Sequence, residues 1–211
     1  MSYQSIRRLM NTESVVNRGY QKIEGAARAF NFDFRNKIVL DIGSSTGGST
    51  QYALDHGAAK VIAVEKGTHQ MKAPLRYNPR VELHEKTDIF DVVADQQEGS
   101  ENGAAISITA PDVILADVSF ISLTKILKYA IIKLTRPSTQ LLVMLKPQFE
   151  AREDQLNRGV VKNEKIRRDI IKHFELWLKQ NGFIIVKKRD NDVKGRTGNR
   201  ERFYHLTLAK H

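Results

Sequence analysis

Four short apolar runs of this 211-residue chain each end at a charged residue, and this pattern constrains the fold more than any other feature. The runs cover residues 38–40, 61–64, 113–116 and 141–145, and the residues that follow them are Asp41, Glu65, Asp117 and Lys146. Short runs without polar alternation are typical of strands buried on both faces of a parallel sheet. Because parallel strands end at the same edge, the four charged residues should lie together at that edge.

The remainder of the chain alternates between helix and strand patterns. Apolar periodicity predicts helices at residues 22–30, 47–56, 122–134 and 164–181, the last closed by Gly182. Further strands are predicted at residues 81–84, 184–186 and 203–208. The alternation predicts an α/β fold with a mostly parallel, seven-stranded, Rossmann-like sheet and helices on both faces.

Composition excludes several kinds of chemistry. The chain has no cysteine, which rules out disulfides, thiolate zinc sites, iron–sulfur clusters and a cysteine nucleophile, and we predict no metal site. No apolar run approaches the roughly 20 residues that cross a bilayer. The first ten residues contain no apolar signal-peptide region. The sequence therefore predicts a cytoplasmic protein with no membrane partner.

The formal net charge of +10 is concentrated at the two ends of the chain. The balance of Lys/Arg over Asp/Glu is +4 in residues 1–37, −1 in residues 38–146 and +7 in residues 147–211. If the two basic ends meet on one face, that face would attract a polyanion. A solvated, lysine-rich surface would have the same composition, so charge alone leaves both interpretations open.

A glycine-rich loop at residues 41–48 predicts a cofactor site. It follows one strand and opens one helix, where glycine lets the backbone turn tightly and approach a ligand. The spacing is Asp41-x-Gly43-x-x-x-Gly47, which differs from the Gly-x-Gly-x-x-Gly of dinucleotide sites. An acid before the first glycine suits the cationic amino group of S-adenosylmethionine and would repel a pyrophosphate.

Two acids further along extend this prediction. Glu65 can accept hydrogen bonds from both ribose hydroxyls, and Asp88 can accept one from the adenine amino group. The candidate cofactor-binding residues are therefore Asp41, Gly43, Ser44, Ser45, Thr46, Gly47, Gly48, Glu65, Asp88 and Asp117. A glycine turn flanked by helix-capping acids is the alternative.

Five motifs together resemble a known family. They are Arg18-Gly19-x-x-Lys22-Ile23-Glu24, the glycine loop, Asp117-Val118-Ser119-Phe120-Ile121-Ser122-Leu123, Leu145-Lys146-Pro147-Gln148-Phe149-Glu150, and Lys194-Gly195 followed by Gly198-Asn199-Arg200-Glu201. In this order they resemble the TlyA family of hemolysin-like proteins and ribosomal RNA 2′-O-methyltransferases, whose catalytic domain is of the FtsJ type. The resemblance implies a class I S-adenosylmethionine-dependent methyltransferase fold and an RNA substrate, either ribosomal RNA or a ribosomal subunit.

The resemblance also implies a catalytic tetrad of Lys22, Asp117, Lys146 and Glu201. A ribose 2′-hydroxyl is a poor nucleophile, and a lysine can accept its proton only when the ammonium form is destabilised by burial or by a second cation. The two carboxylates would hold the lysines and the ribose in place. Two ordinary ion pairs are the alternative explanation.

The segment after residue 116 bears on which atom is methylated. Enzymes that methylate amino groups often carry Asp/Asn-Pro-Pro-aromatic there, whereas this chain has Asp117-Val118-Ser119-Phe120. The missing prolines argue against nitrogen methylation. Phe120 is predicted either to stack on a base or to belong to the core or a lid.

TlyA proteins usually carry an N-terminal S4-like RNA-binding domain, and the 17 residues before Arg18 are too few for one. We therefore predict an N-terminal extension at residues 1–17 and an FtsJ-like methyltransferase domain at residues 18–211. The basic runs Lys187-Lys188-Arg189 and 194–202 could supply part of the RNA contact, or form a solvated edge. A NAD-type oxidoreductase, a non-catalytic binding protein and a membrane-active hemolysin remain competing readings.

Overall fold

The computed structural model describes residues 18–95, 105–193, 195 and 198–209. Its helices are α1 (Arg18–Phe30), α2 (Gly48–Asp55), α3 (Leu123–Lys133) and α4 (Glu164–Gln180). Its strands are β1 (Ile38–Ile42), β2 (Lys60–Glu65), β3 (Val81–Glu85), β4 (Val92–Ala94), β5 (Ile106–Ile108), β6 (Val113–Ala116), β7 (Gln140–Leu145), β8 (Phe183–Asp190) and β9 (Arg202–Leu208). The predicted loop at residues 95–103 lies almost entirely outside the described residues, as does the predicted extension at residues 1–17.

Seven of the strands form one sheet in the order β3-β2-β1-β6-β7-β9-β8. The strands from β3 to β7 in this order pair in parallel, and β9 is antiparallel to both neighbours. The chain runs outward from β1 to β3 and then returns to β6 on the other side of β1. Ligands bind at such a switch point in α/β sheets, outside the carboxyl ends of the strands.

Helices cover both faces of the sheet, as the alternation predicted. On one face α3 and α4 contribute Leu127 and Phe174 to a buried apolar cluster. On the other face α1 and α2 contribute Ala27 and Tyr52 to a second cluster. The class I methyltransferase architecture expected from the sequence is therefore the architecture observed.

Local sequence explains where two of the helices begin and end. The side chain of Asn163 accepts hydrogen bonds from the backbone amides of Lys165 and Ile166 at the start of α4. Gly182 follows this helix with φ of +78°, a left-handed conformation that favours glycine. Ser122 caps α3 through the amide of Thr124.

Several boundaries and one pair of short strands differ from the sequence prediction. Helix α1 begins at Arg18, so Lys22 lies on its second turn; the polar residues before Lys22 gave no apolar periodicity to detect. Strand β9 begins at Arg202, one residue after Glu201. The short strands β4 and β5 pair with each other in parallel and were not predicted.

Candidate active site

The glycine loop after β1 has the backbone that the sequence predicted. Gly43 and Gly47 have φ of +79° and +90°, which side chains rarely adopt. A Cβ atom on Gly43 would lie 3.3 Å from the carbonyl oxygen of Asp117, and one on Gly47 would lie 2.4 Å from Leu75 Cδ2. The two glycines therefore let the loop pack against β6 on one side and against Leu75 on the other.

Asp41, at the end of β1, is buried behind this loop. The hydroxyl of Thr50 donates a hydrogen bond of 2.6 Å to Asp41 Oδ2, while Oδ1 has no hydrogen-bond partner within the described part of the chain. Burial raises the pKa of Asp41 to about 7, and the nearby charge of Asp117 adds to the shift against the opposing bond from Thr50. A cation bound beside Asp41 would therefore favour the ionised form of its carboxyl group.

Glu65, at the end of β2, lies beside the same loop. Its carboxylate accepts hydrogen bonds from the backbone amides of Ser45, at 2.8 Å, and of Gly67, at 2.7 Å. A carboxylate offers about four lone-pair positions, so Glu65 retains acceptor capacity. Of the remaining loop residues, Ser45 and Thr46 are exposed, while Ser44 and Gly48 are buried.

Asp88 stands apart from the loop and has partners of its own. It accepts hydrogen bonds from Lys66 Nζ at 2.8 Å and from the amide of Phe90 at 3.3 Å. The bond from Lys66 holds the pKa of Asp88 below its usual value. A ligand amino group at Asp88 would have to share this carboxylate with an exposed lysine, which is free to move away.

Lys146 and Asp117 form an ion pair at the ends of the adjacent strands β7 and β6. Lys146 Nζ lies 2.7 Å from Asp117 Oδ1 and donates a hydrogen bond of 2.8 Å to Ser119 Oγ. Lys146 has an extended backbone, with φ of −109° and ψ of 99°, as expected for a residue before proline. The contact with Ser119 was not predicted, although this residue belongs to a motif that the sequence singled out.

Lys22 and Glu201 form a second, more deeply covered ion pair. Lys22 Nζ lies 2.6 Å from Glu201 Oε2, and both side chains are buried. Gly195 packs on this carboxylate, since a Cβ atom there would lie 3.0 Å from Glu201 Oε1. The amide of Gly195 also donates to the carbonyl oxygen of Asn199, which closes the turn before Glu201. Lys194, from the same predicted motif, lies outside the described residues.

One cavity brings the two ion pairs together. Lys22 and Asp117 both line it, with Gly19 and Ser49 beside them. Because Asp117 pairs with Lys146 and Lys22 pairs with Glu201, the four residues of the predicted tetrad form one contiguous group. The structure thus brings these four residues together, and the catalytic tetrad stays a prediction.

The glycine loop fits the cofactor that the sequence suggested. The buried hydroxyl of Ser44 and the buried Oδ1 of Asp41 have no hydrogen-bond partner within the described residues. Buried polar atoms usually have partners, so these two atoms are suited to a polar ligand at the loop. A cationic amino group would also offset the energetic cost of burying the charged Asp41 carboxylate.

Glu150 connects the two loops that carry Asp117 and Lys146. Its carboxylate accepts hydrogen bonds of 2.6 Å from Ser122 Oγ and 2.7 Å from the amide of Leu123, at the start of α3. Burial raises the pKa of Glu150, and these two hydrogen bonds oppose the shift. The sequence placed Glu150 in a motif but gave no sign of the contact, which spans 27 or 28 residues of chain.

Phe120 is 92% exposed, so the predicted core role for this residue is wrong. Its backbone φ is +64°, and its ring lies 5.3 Å from that of Phe149. Phe149 in turn lies 5.9 Å from Lys146 Nζ. An aromatic pair, exposed at Phe120 and half-buried at Phe149, therefore lies beside the Lys146–Asp117 ion pair.

The basic run in β8 is engaged within the protein. Lys187 donates to the carbonyl oxygen of Phe30 at the end of α1, and Arg189 donates to the carbonyl oxygen of Gly25. Lys188 pairs with Glu175 at 2.6 Å. These contacts tie β8 to the helices on both faces of the sheet and give the run a structural role. The prediction that it also contacts RNA stays a prediction.

The chain belongs to a methyltransferase family that this fold and site fit. The family model of FtsJ-like methyltransferases matches residues 15–208, so the chain is a member of the FtsJ-like methyltransferase family. The membership confirms the resemblance inferred from the five motifs, and it favours S-adenosylmethionine over a nicotinamide cofactor.

Two curated relatives support the same assignment. A Bacillus subtilis protein named as a candidate rRNA methyltransferase, YqxC, is 35% identical over 90% of this chain and 65% of its own length. The Campylobacter jejuni 23S rRNA (cytidine-2′-O)-methyltransferase TlyA is 31% identical over 92% of this chain and 71% of its own length. The chain thus spans about two thirds of the length of these relatives.

Solved structures share the fold. A candidate hemolysin from Lactococcus lactis superposes with a TM-score of 0.81 at 33% identity, over 91% of this chain and 88% of the other. A candidate S-adenosylmethionine-dependent methyltransferase from Listeria monocytogenes superposes with a TM-score of 0.61 at 16% identity, over 91% and 98%. The second likeness concerns the fold alone. Within the described residues, no helix is both long and apolar enough to span a membrane.

Proposed function

We propose that this chain is an S-adenosylmethionine-dependent methyltransferase that acts on a ribose 2′-hydroxyl of ribosomal RNA. The observation that carries the proposal is the grouping of two lysine–carboxylate pairs around one cavity at the sheet edge that also holds the glycine loop. The site therefore combines a place for the cofactor with basic groups for the acceptor hydroxyl. The RNA and ribose specificity are carried over from the Campylobacter relative, whose name states both.

The loop residues would hold the cofactor. Glu65 would accept the ribose hydroxyls, Asp41 and the Ser44 hydroxyl would face the polar methionine end, and Asp88 would meet the adenine amino group. When bound, S-adenosylmethionine supplies an electrophilic methyl group on a sulfonium. The protein would supply the acceptor's position and the removal of its proton.

Lys146 is our candidate for the base. In its neutral form, Nζ would accept the proton of the 2′-hydroxyl, with Ser119 at 2.8 Å to hold the lysine in place. The Asp117 carboxylate at 2.7 Å favours the ammonium form, so Lys146 would have to lose its proton before it acts as the base. The ion pair with Glu201 would hold Lys22 in the wall of the cavity. Positioning of this kind is a large part of catalysis.

The exposed ring of Phe120, packed on the half-buried ring of Phe149, suits a single-stranded substrate. Sequence-specific RNA recognition usually targets unstacked bases in loops and bulges, which stack on aromatic side chains. Because Phe149 lies near Lys146, a base stacked at this aromatic pair would have its own ribose close to the candidate base.

Methyl transfer to ribosomal RNA tests the proposal directly. The protein would be incubated with S-adenosylmethionine carrying a labelled methyl group and with ribosomal subunits, and the RNA digested and analysed by mass spectrometry. We expect a labelled nucleotide whose methyl group is on the ribose. A methyl group on a base would contradict the proposed acceptor. Cofactor binding without transfer to any ribosomal RNA would instead indicate a binding protein that retains the fold.

A matched variant tests the cofactor site separately. Gly43→Val adds a side chain at a residue with φ of +79° whose Cβ would already lie 3.3 Å from Asp117 O. We expect calorimetry to show cofactor binding by the wild type and none by this variant, with circular dichroism as the check that the variant is folded. Undiminished binding by the folded variant would place the cofactor elsewhere.

A further inference from the structure

A two-residue hairpin at residues 157–160, between β7 and α4, has an arginine in its turn that the turn geometry does not require. Asn157 and Val160 pair with each other through both backbone hydrogen bonds, at 2.9 and 3.1 Å. The two central residues, Arg158 and Gly159, have φ of +49° and +77°. This is the geometry of a type I′ turn, which favours asparagine, aspartate or glycine at both central positions.

Arginine at the first central position is therefore not explained by the turn. A residue other than glycine is uncommon at positive φ, and among those found there asparagine is enriched several-fold. Arg158 is exposed, and it has no ion-pair partner within the described part of the chain. A strained backbone at an exposed cation is a reason to look for a ligand.

The hairpin is rigidly connected to the candidate active site. Asn199 is buried, and its side chain accepts a hydrogen bond of 3.0 Å from the amide of Val161 and donates one of 3.1 Å to the carbonyl oxygen of Gly159. Asn199 lies two residues before Glu201, so their Cα atoms are at most about 7 Å apart. The tip of the hairpin is thus fixed relative to Glu201, whose partner Lys22 lines the cavity.

The charge around the hairpin is strongly positive. Residues 157–168 hold five Lys/Arg against one Asp/Glu. The single acid, Glu164, lies 3.5 Å from Arg200 and 3.9 Å from Arg167, so other cations already surround it. Lys162 is exposed and, like Arg158, has no ion-pair partner among the described residues. These two positively charged side chains are therefore available to bind a negatively charged ligand.

We infer that Arg158 and Lys162 bind phosphates of the RNA substrate next to the nucleotide whose ribose meets the two ion pairs. This inference rests on the proposed function and adds a surface for its substrate. A cation held rigidly near the reacting ribose fixes the register of the RNA on the protein, and such phosphate contacts carry no sequence preference. The hairpin therefore determines where the RNA chain lies rather than which base is selected.

Arg158→Asn is the decisive variant because asparagine suits this turn better than arginine. The substitution removes the charge, keeps the backbone and leaves both contacts of Asn199 in place. Lys162→Gln removes the second charge. Lys37→Gln, just before β1 at the opposite edge of the sheet, is the control with the same loss of charge.

The measurement is the affinity of each full-chain variant for deproteinised ribosomal RNA over a series of salt concentrations. We expect the slope of log affinity against log salt to fall by about 0.7–0.9 for each lost phosphate contact, and by about twice that in the double variant. Lys37→Gln should leave the slope unchanged. The thermal midpoint of Arg158→Asn should equal or exceed that of the wild type, which excludes misfolding as the cause.

Two outcomes separate this inference from the proposed function. If the wild type methylates ribosomal RNA but Arg158→Asn and the double variant keep the wild-type slope, the inference is wrong and the proposed function stands. If the slope falls as expected but neither the wild type nor any variant transfers a methyl group, the hairpin binds RNA and the proposed function is wrong.

Discussion

The two ion pairs of the candidate active site differ in how they are covered. The side chain of Glu201 is 3% exposed and that of its partner Lys22 is 10% exposed. Lys146 is covered to the same degree as Lys22, but its partner Asp117 is 26% exposed. The Lys22–Glu201 pair is therefore a closed pair, whose carboxylate is shielded from solvent. The Lys146–Asp117 pair is an open pair, whose carboxylate is accessible to solvent.

This difference points to different tasks. A closed pair joins distant parts of the chain, here helix α1 and the segment before β9, and has little room to exchange partners. The open pair lies at two strand ends beside the rings of Phe149 and Phe120, where a substrate hydroxyl can approach Lys146. We therefore expect proton transfer at Lys146 and a positioning role for Lys22 and Glu201.

The largest effect is expected at Lys146. Lys146→Ala removes the candidate base and should lower methyl transfer by about 10²–10⁴-fold, the usual contribution of positioned acid–base catalysis. Lys146→Arg should fail almost as badly, because a guanidinium does not lose its proton near neutrality. Single-turnover assays at saturating cofactor and RNA would measure both, with calorimetry to verify that cofactor affinity is unchanged.

Near-normal methyl transfer by Lys146→Arg would exchange the roles assigned to the two ion pairs. The lysine would then serve only as a positive charge, and Lys22 would become the candidate base. Lys22→Arg in the same assay would test that alternative.

Glu201→Ala should produce the next largest effect, on stability. It leaves Lys22 as a buried charge without its partner, which typically costs about 3–5 kcal/mol in the free energy of unfolding. Asp117→Ala should cost clearly less, because Asp117 is partly exposed and Lys146 retains Ser119. Urea denaturation of the two variants measures the difference, and equal losses would contradict the distinction between a closed and an open pair.

Asp41 should make both stability and cofactor affinity depend on pH. Its pKa is raised from 3.8 to about 7 by burial. Between roughly pH 4 and pH 7 the folded protein therefore holds a proton that the unfolded chain releases. The free energy of unfolding should fall as pH rises through this window, by at most about 1.4 kcal/mol per pH unit.

Asp41→Asn is the control for this effect, since it keeps an acceptor for Thr50 but cannot ionise. The difference in unfolding free energy between wild type and variant should change from pH 4 to pH 7 and then level off. If the cofactor's amino group meets Asp41, the wild-type affinity should also rise as Asp41 ionises, while the variant shows no such rise. A difference that is constant from pH 4 to pH 8 would argue against the raised pKa.

The smallest effect is expected at Glu150, which belongs to neither pair but connects the two loops that carry Asp117 and Lys146. Glu150→Ala removes the hydrogen bonds to Ser122 and to the amide of Leu123 at the start of α3, which should cost about 0.5–2 kcal/mol, as for the loss of a helix cap. Differential scanning calorimetry would measure the lower midpoint. Glu150→Gln keeps an acceptor for Leu123 and should recover part of the loss; no recovery would show that the negative charge is essential.

Much of the molecule follows from local sequence pattern. Apolar runs at residues 38–40, 61–64, 113–116 and 141–145 predicted the central strands, because a buried parallel strand must be apolar on both faces. The charged residues that end these runs predicted the functional edge. The spacing of Gly43 and Gly47 predicted the loop, because both positions need a backbone that side chains rarely adopt.

Only the tertiary structure decided which groups meet across long stretches of chain. Lys22 and Glu201 are 179 positions apart in the sequence, yet their ion pair is 2.6 Å long. The bonds from Asn199 to the hairpin at Arg158, and from Glu150 to the start of α3, likewise have no local signature. The basic run in β8 shows the opposite case, since its charges are evident in the sequence but their internal partners are not. Local pattern determines elements and strand ends because it reflects burial along a single segment, whereas contacts between segments depend on how the sheet and helices pack.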